Sequence, residues 1–548
     1  MYDFCQDPPH LGNQYEEDEA LKSYLALLTG GLPLNTQQDL SRFGQRVISE
    51  LIPHHRNCER YPPQIDQYSA WGERIDQIHT HPSWSHMHKV SAEENLIRLG
   101  YTDIEYNRII QFSKLYLFNP SAGLYTCPLA MTDGAAYLIK HKLTEDPEMK
   151  VVFEHLTSNQ SENFWTSGQW MTEKLGGSDV SGATETVAEL IEGDKYRLNG
   201  YKWFTSATTA EIAFTLGRVN GKISLFFVNV LENKKNLIVV RMKDKMGTRQ
   251  LPTAEMILKN CVGKLVSPIG EGIKYISNLM NITRLYNSVC AISSMRRALA
   301  ISRDYAHRRS AFGTKLSNLK LHKETLFLME VKVRGCLLWV LYLSRILEKT
   351  EKNKSEPWEQ YLLRLMTPII KLYTGKMSSE VVKEGMECIG GVAYMENSGF
   401  PSLLRDTEVY SIWEGTTNVL TLDMLRVLKS NNDLQLIKFK QALTQITGNE
   451  HLHLRVNKLV NVIISGKNSR KVALEIGHIF IAALFTMAAN KSGLEVDRQV
   501  AAYWTENFRE VFFEYCEKML DQLALNLVDG KPTGVGDVDK ELKPRYKL

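Results

Sequence analysis

One carboxylate in the sequence stands in a setting suited to chemistry. Glu414, in Ser411-Ile-Trp-Glu-Gly-Thr-Thr-Asn418, follows two apolar residues and precedes a glycine. A carboxyl group among apolar neighbours loses hydration of its anion, so its proton affinity rises and it becomes a base for a weakly acidic C–H. A glutamate buried for structure carries the same local signature. Three further segments offer groups for a flat or anionic ligand. Gln169-Trp-Met-Thr-Glu-Lys-Leu-Gly-Gly-Ser-Asp-Val180 places two glycines between the hydroxyls of Thr172 and Ser178, where backbone can approach a ligand closely. A plain Gly-Ser turn at a domain join reads the same way. Tyr201-Lys-Trp-Phe-Thr-Ser206 reads as a strand; Trp203 and Thr205, two apart, share one face of a regular strand and could meet one ring system. A Trp buried in the core fits as well. Arg309-Ser-Ala-Phe-Gly313 ends a helical stretch with a guanidinium suited to a pyrophosphate, or one that satisfies the last carbonyls of its own helix.

The elements that must position these groups change period along the chain. Residues 1–160 read as mostly helical, with apolar residues at three- and four-residue intervals over Leu40 to Ile52 and Glu93 to Leu117. Residues 161–275 read as an antiparallel β domain, with strands over Tyr196–Thr205, Ile223–Val230, Leu237–Met242 and Ala254–Leu258. Residues 276–430 read as a four-helix bundle built from Asn281–Arg309, Leu316–Leu347, Glu359–Cys388 and Val409–Leu428. Residues 431–548 read as a further helical unit with a short Gly/Pro/Lys-rich tail from Val528. The fold class is therefore α+β and mostly α.

Composition narrows the function classes. Of 548 residues, 43% are hydrophobic and 23% charged, which excludes a largely disordered chain. The net charge of +4 gives no global field toward DNA or membrane. The eight cysteines are scattered, which excludes a disulfide framework or a zinc ligand pair and fits a reducing compartment. No GxGxxG, GxxxxGK[ST] or HExxH is present, so Rossmann, P-loop and zincin chemistry are disfavoured. His79, His81, His86 and His88 cluster in sequence, but no Cys or carboxylate in the sequence nearby completes a metal site, and no metal is expected. The first twenty residues hold six acids and no Lys or Arg, unlike a leader. The expected location is the cytoplasm, or the mitochondrion for a processed form. The longest apolar run, Ile479 to Ala489, is too short to cross a bilayer and reads as a buried helix or a subunit contact.

Order and spacing of the four motifs resemble the acyl-CoA dehydrogenase flavoprotein family. TEKLGGSD resembles its TEPGAGSD, KWFTS its KxWITN, RSAFG its RxxFG and WEGT its YEGT. Ile389-Gly-Gly-Val-Ala-Tyr394, followed by Leu404-Arg-Asp406, resembles its FGGxGY segment. HPSWSHMHK, WMTEKLGGSDV and SIWEGTTNVLTLDMLRVL are nearest the AidB-like branch, which carries an extra C-terminal helical domain. The resemblance implies FAD as cofactor and α,β-dehydrogenation of an acyl-CoA, with Glu414 as catalytic base. It implies that Met171, Thr172, Gly177, Ser178, Trp203 and Thr205 line the flavin, and that Gly390, Gly391, Thr416 and Asn418 close over it. Arg309 and Phe312 would reach FAD held mainly by a neighbouring subunit of a homotetramer. Ser178, Arg284 and Trp413 would contact the substrate. Arg284 lies about 25 residues before Arg309, a whole number of helical turns, so both are expected to face one site. Trp413 stands where most relatives carry Tyr. An electron-acceptor protein is an expected partner. Alternative readings are an acyl-CoA or fatty-acyl binding flavoprotein with little turnover, and a DNA-associated protective flavoprotein. For DNA the support is slight, since residues 431–548 hold 16 Lys/Arg against 14 Asp/Glu.

Overall fold

Helices α1 (Glu19–Thr29), α2 (Leu34–Ser49) and α3 (Leu51–Arg60) open the chain. The structure, a computed structural model, describes residues 7–429, 434–465 and 468–507; Cys516 and the tail from Val528 lie outside the described residues. A hairpin, β1 (Gln64–Tyr68) and β2 (Arg74–His79), interrupts the mostly helical segment. It is followed by α4 (Pro82–Glu93), α5 (Asn107–Phe118), α6 (Thr126–Lys142) and α7 (Pro147–Leu156). Every residue of α5 is buried, so this helix is a core element with no solvent face.

The chain then enters a seven-stranded sheet. It comprises β3 (Ser167–Trp170), a one-turn helix α8 (Val180–Ala183), β4 (Val187–Glu192), β5 (Lys195–Ser206), β6 (Ile212–Val219), β7 (Lys222–Asn229), β8 (Leu237–Met242) and β9 (Thr253–Leu265). β9 pairs antiparallel with β5, β7 and β8; β6 pairs antiparallel with β7 and parallel with β3 and β4, so the strands close on themselves. The parallel pairs correct the purely antiparallel expectation. Parallel pairing of β3 with β6 needs a crossover, and the intervening β4–β5 hairpin supplies it.

The bundle follows with α9 (Gly272–Arg308), a small hairpin β10 (Ser310–Ala311) and β11 (Thr314–Lys315), α10 (Lys320–Glu351), α11 (Pro357–Ile389), α12 (Phe400–Glu408) and α13 (Thr417–Lys429). Three of the four expected bundle helices appear nearly as read. The fourth starts later than Val409, because Glu414 and Gly415 take φ of 56° and 103° and cannot continue a right-handed helix. The C-terminal helices are α14 (Leu434–Thr447), α15 (His453–Ser465), α16 (Ser469–Ser492) and α17 (Glu495–Asn507). α16 lies on α10 and α11 at two glycines. A Cβ at Gly335 would come within 2.7 Å of Ile481, and one at Gly477 within 2.8 Å of Tyr373. One hydrophobic core runs through the N-terminal helices, the bundle and the C-terminal helices. At 24 residues α16 is long and apolar enough to span a bilayer, longer than the eleven-residue run implied, but Ile479 to Ala488 pack largely inside this core.

Candidate active site

The loop between α12 and α13 carries Glu414, the carboxylate expected to act as the base. Glu414 is half-buried and left-handed, and Thr283 of α9 donates its hydroxyl to the carboxylate at 2.5 Å. Arg284 Nε approaches the Glu414 carbonyl at 3.4 Å, and Lys371 Nζ of α11 donates to the Gly415 carbonyl at 2.6 Å. Burial raises the Glu414 carboxyl above the ordinary carboxylate range; the Thr283 hydrogen bond, Arg284 and Lys371 oppose the rise without cancelling it. Beside the base, the Trp413 indole donates to Asn287 Oδ1 at 2.5 Å, and its ring lies 6.1 Å from that of Tyr410. Arg284 reaches two protein groups. Its guanidinium pairs with Asp423 of α13 at 2.7 Å while its Nε reaches the Glu414 carbonyl.

The β domain supplies the second group. Met171 is buried, Thr172 half-buried, and Gly177 and Ser178 are exposed on the loop after β3. The Trp203 N–H donates to the Thr172 carbonyl at 2.8 Å, so the TEKLGGSD loop and the KWFT strand touch directly. A buried ion pair, Lys202 to Glu173 at 2.6 Å, pins them, and Glu173 also accepts from the Glu185 and Thr186 backbone. Trp203 and Thr205 do not share a face as the spacing suggests. The β5–β9 register slips between Lys202 and Thr205, and such a bulge breaks the two-residue alternation. Thr205 is fully buried, with its hydroxyl donated to the Ala254 carbonyl, whereas Trp203 is half-buried with Lys243 Nζ 3.3 Å from its ring centre. α6 joins this group to the base: Cys127 lies in electrostatic reach of both Glu414 and Lys245, and Met131 packs on Ala207 and Ala210 just past β5.

A third group lies elsewhere. Arg309, half-buried and without an ion pair among the described residues, lines an open pocket of about 590 Å³ with Tyr305, Leu316, Gly390 and Gly391. Gly390 has φ 80° and ψ −152°, a conformation open essentially to glycine alone, and a Cβ at either glycine would meet no atom within 4 Å. Phe312 stands 94% exposed at the tip of the β10–β11 hairpin. Arg284 and Arg309 therefore do not face one site. Their helical phase agrees, but 25 residues at 1.5 Å each separate them by roughly 37 Å along α9. Thr416 is half-buried at the start of α13, and exposed Asn418 accepts from Arg470 of α16 at 3.3 Å.

An unpaired guanidinium beside two open glycines suits a pyrophosphate, and an indole beside a glycine-rich loop suits a flat ring system, so the residues fit FAD. Thr283, Lys371, Asp423, Asn287, Glu173 and Lys202 belong to the site yet escaped sequence reading. Glu173, Lys202 and Asp423 lie inside the quoted motifs, but nothing local marks them as charge partners; Thr283, Asn287 and Lys371 lie in long helices, far in sequence from the groups they meet. The four clustered histidines take separate partners: His79 pairs with Asp66, His86 with Glu50, His88 with Tyr125, and His81 caps α4.

Known proteins resemble this arrangement over most of the chain. Residues 6–160 match the family model of the adaptive response protein AidB N-terminal domain, 168–261 that of the acyl-CoA dehydrogenase middle domain, and 270–429 that of the acyl-CoA dehydrogenase C-terminal domain. Acyl-CoA dehydrogenase family member 11 of Caenorhabditis elegans is 39% identical, over 90% of this chain and 88% of its own length. Putative acyl-CoA dehydrogenase AidB of Escherichia coli K12 is 29% identical, over 83% and 85%. The crystal structure of Caenorhabditis elegans ACDH-11 in complex with C11-CoA superposes with a TM-score of 0.92 at 36% identity, covering 97% of this chain and 98% of that one. With these matches over most of its length, the chain belongs to the acyl-CoA dehydrogenase family of FAD-dependent oxidoreductases, in the AidB-like branch.

Proposed function

We propose that this protein removes the α-proton and β-hydride of an acyl-CoA thioester, with Glu414 as the base. The observation that carries this reading is a half-buried, left-handed carboxylate with raised proton affinity, fixed by the Thr283 hydroxyl. Removing a weakly acidic α-proton needs such a base. The Glu414 N–H donates to no protein atom among the described residues, so it is available to polarise the thioester carbonyl and stabilise charge developing there. Trp413, fixed by Asn287, flanks the reacting carbons and keeps water from the base. FAD, when bound, supplies the hydride acceptor. The structure of the worm relative with C11-CoA supports an acyl-CoA as the ligand of this chain as well.

In this reading the chain works as a homotetramer, and its electrons pass to an acceptor protein. The roughly 37 Å between Arg284 and Arg309 supports the first point. Arg284 serves the base of its own subunit, while Arg309 and exposed Phe312 serve the pyrophosphate side of FAD held by a neighbour. Anaerobic addition of acyl-CoAs of graded length tests the reading: at least one should bleach the flavin absorbance. Tight binding with no bleaching by any of them would make the protein a binder.

A further inference from the structure

Lys371 is the second charged group at the base loop. It lies in the middle of α11, fully buried, and forms no ion pair among the described residues. Its visible acceptor is the Gly415 carbonyl, at 2.6 Å. A buried ammonium without a carboxylate partner is costly, and a Met or Leu of similar length would fill the same space without that cost. What the ammonium does is hold the loop. Glu414 and Gly415 are both left-handed, and a non-glycine residue there is strained by about 1 kcal/mol or more. Two successive left-handed residues persist only where their surroundings over-determine them. Here Arg284 approaches the first carbonyl at 3.4 Å and Lys371 the second at 2.6 Å, while Thr283 takes the carboxylate.

A separate feature of α11 brings Lys371 within reach. One helical turn later, at Gly375, a Cβ would come within 2.6 Å of the Tyr410 carbonyl oxygen. The missing side chain lets the α11 backbone lie directly on the loop, so helix and loop dock at two points. We infer that Lys371 is a positioning residue for the base: by holding the Gly415 carbonyl, its buried ammonium keeps Glu414 left-handed, with its carboxylate beside Thr283. The inference rests on Glu414 being the base.

The same ammonium tunes the base. The ionisable groups facing it are Glu414 and Arg284; Arg284 is taken by Asp423, which also binds Arg364 of α11, and Cys127 of α6 faces Glu414. Burial lowers the Lys371 pKa to about 7, Glu414 opposing the fall and Arg284 adding to it. At and below that pH the positive charge favours the carboxylate form of Glu414.

The test uses the FAD-loaded full chain. Lys371→Met should slow anaerobic flavin reduction by acyl-CoA about 10- to 100-fold, the size expected for a misplaced catalytic group. FAD content and acyl-CoA affinity should change little, and the acidic limb of the pH–rate profile should move to higher pH. A structural role alone would lower the melting temperature and leave that limb in place; this result, with a wild-type reduction rate, overturns the inference. If Lys371→Met yields no holoenzyme, Lys371→Gln keeps a donor and removes the charge. An upward move of its acidic limb supports the inference, and an unmoved limb overturns it. Wild type and Glu414→Gln run alongside: a wild type that no acyl-CoA reduces, or a Glu414→Gln variant reduced normally, defeats the dehydrogenase reading itself rather than the role of Lys371.

Discussion

Thr283 and Lys371 act on Glu414 in the opposite direction to burial, and the balance sets when its carboxyl is ionised. Burial favours the protonated carboxyl, while the hydroxyl and the two cations favour the carboxylate. The net shift is upward, so the rate of flavin reduction should fall as pH drops through a value above the ordinary glutamate range. Thr283→Val removes a hydrogen bond to the charged form and should push that acidic limb higher still. At mildly acidic pH the variant should then be slower than wild type, and at alkaline pH the two rates should converge. A limb that stays in place in stopped-flow pH profiles would show that Thr283 does not hold the reacting carboxylate. Glu414, Arg309, Gly390 and Gly391 could be found in the sequence because each sits in a contiguous motif. Thr283 and Lys371 could not, since they reach the loop from 131 and 44 positions away. Only the fold brings them there.

At the scale of elements, long periodic segments were legible and local breaks were not. α9, α10 and α11 lie close to where the apolar spacing puts them. The delayed start of α13, the register slip in β5 and the parallel pairing of β6 depend on two left-handed residues, one extra residue and a crossover. None of these leaves a periodic trace. The β5 slip matters because it buries Thr205 and leaves Trp203 half-buried, with its backbone N–H on the Thr172 carbonyl of the TEKLGGSD segment. α16 shows how a run of apolar residues understates a helix. Its fully buried Ile481 packs where Gly335 leaves room on α10. Ile481→Ala should cost about 2–5 kcal/mol of stability, as large-to-small core changes do. The check is the denaturant midpoint at saturating FAD, with flavin content unchanged in the absence of denaturant. An unshifted midpoint would mean that α16 contributes nothing to the shared core.

For the whole molecule, α9 is the organising rod. Its first half carries Thr283 and Arg284 to the base loop, and its end presents Arg309 to a separate pocket. The fold class and the order of helical, β and helical parts were readable from changes in period. That the two arginines serve different places was not, because helical phase carries no information on axial distance. If Arg309 binds the pyrophosphate of a neighbour's FAD, Arg309→Ala leaves that charge unpaired. The variant should lose FAD on dilution or gel filtration and shift toward smaller assemblies. Wild-type FAD affinity together with an intact assembly would remove Arg309 from the cofactor site.

The most direct measurement is anaerobic flavin reduction by acyl-CoA in wild type and Glu414→Gln. Glutamine keeps the shape and the backbone N–H but cannot accept a proton. The variant should bind FAD and acyl-CoA nearly as wild type does, while its reduction rate falls by about 10²- to 10⁴-fold or more. Reduction of Glu414→Gln at the wild-type rate would place the base elsewhere and contradict the assignment of the active site.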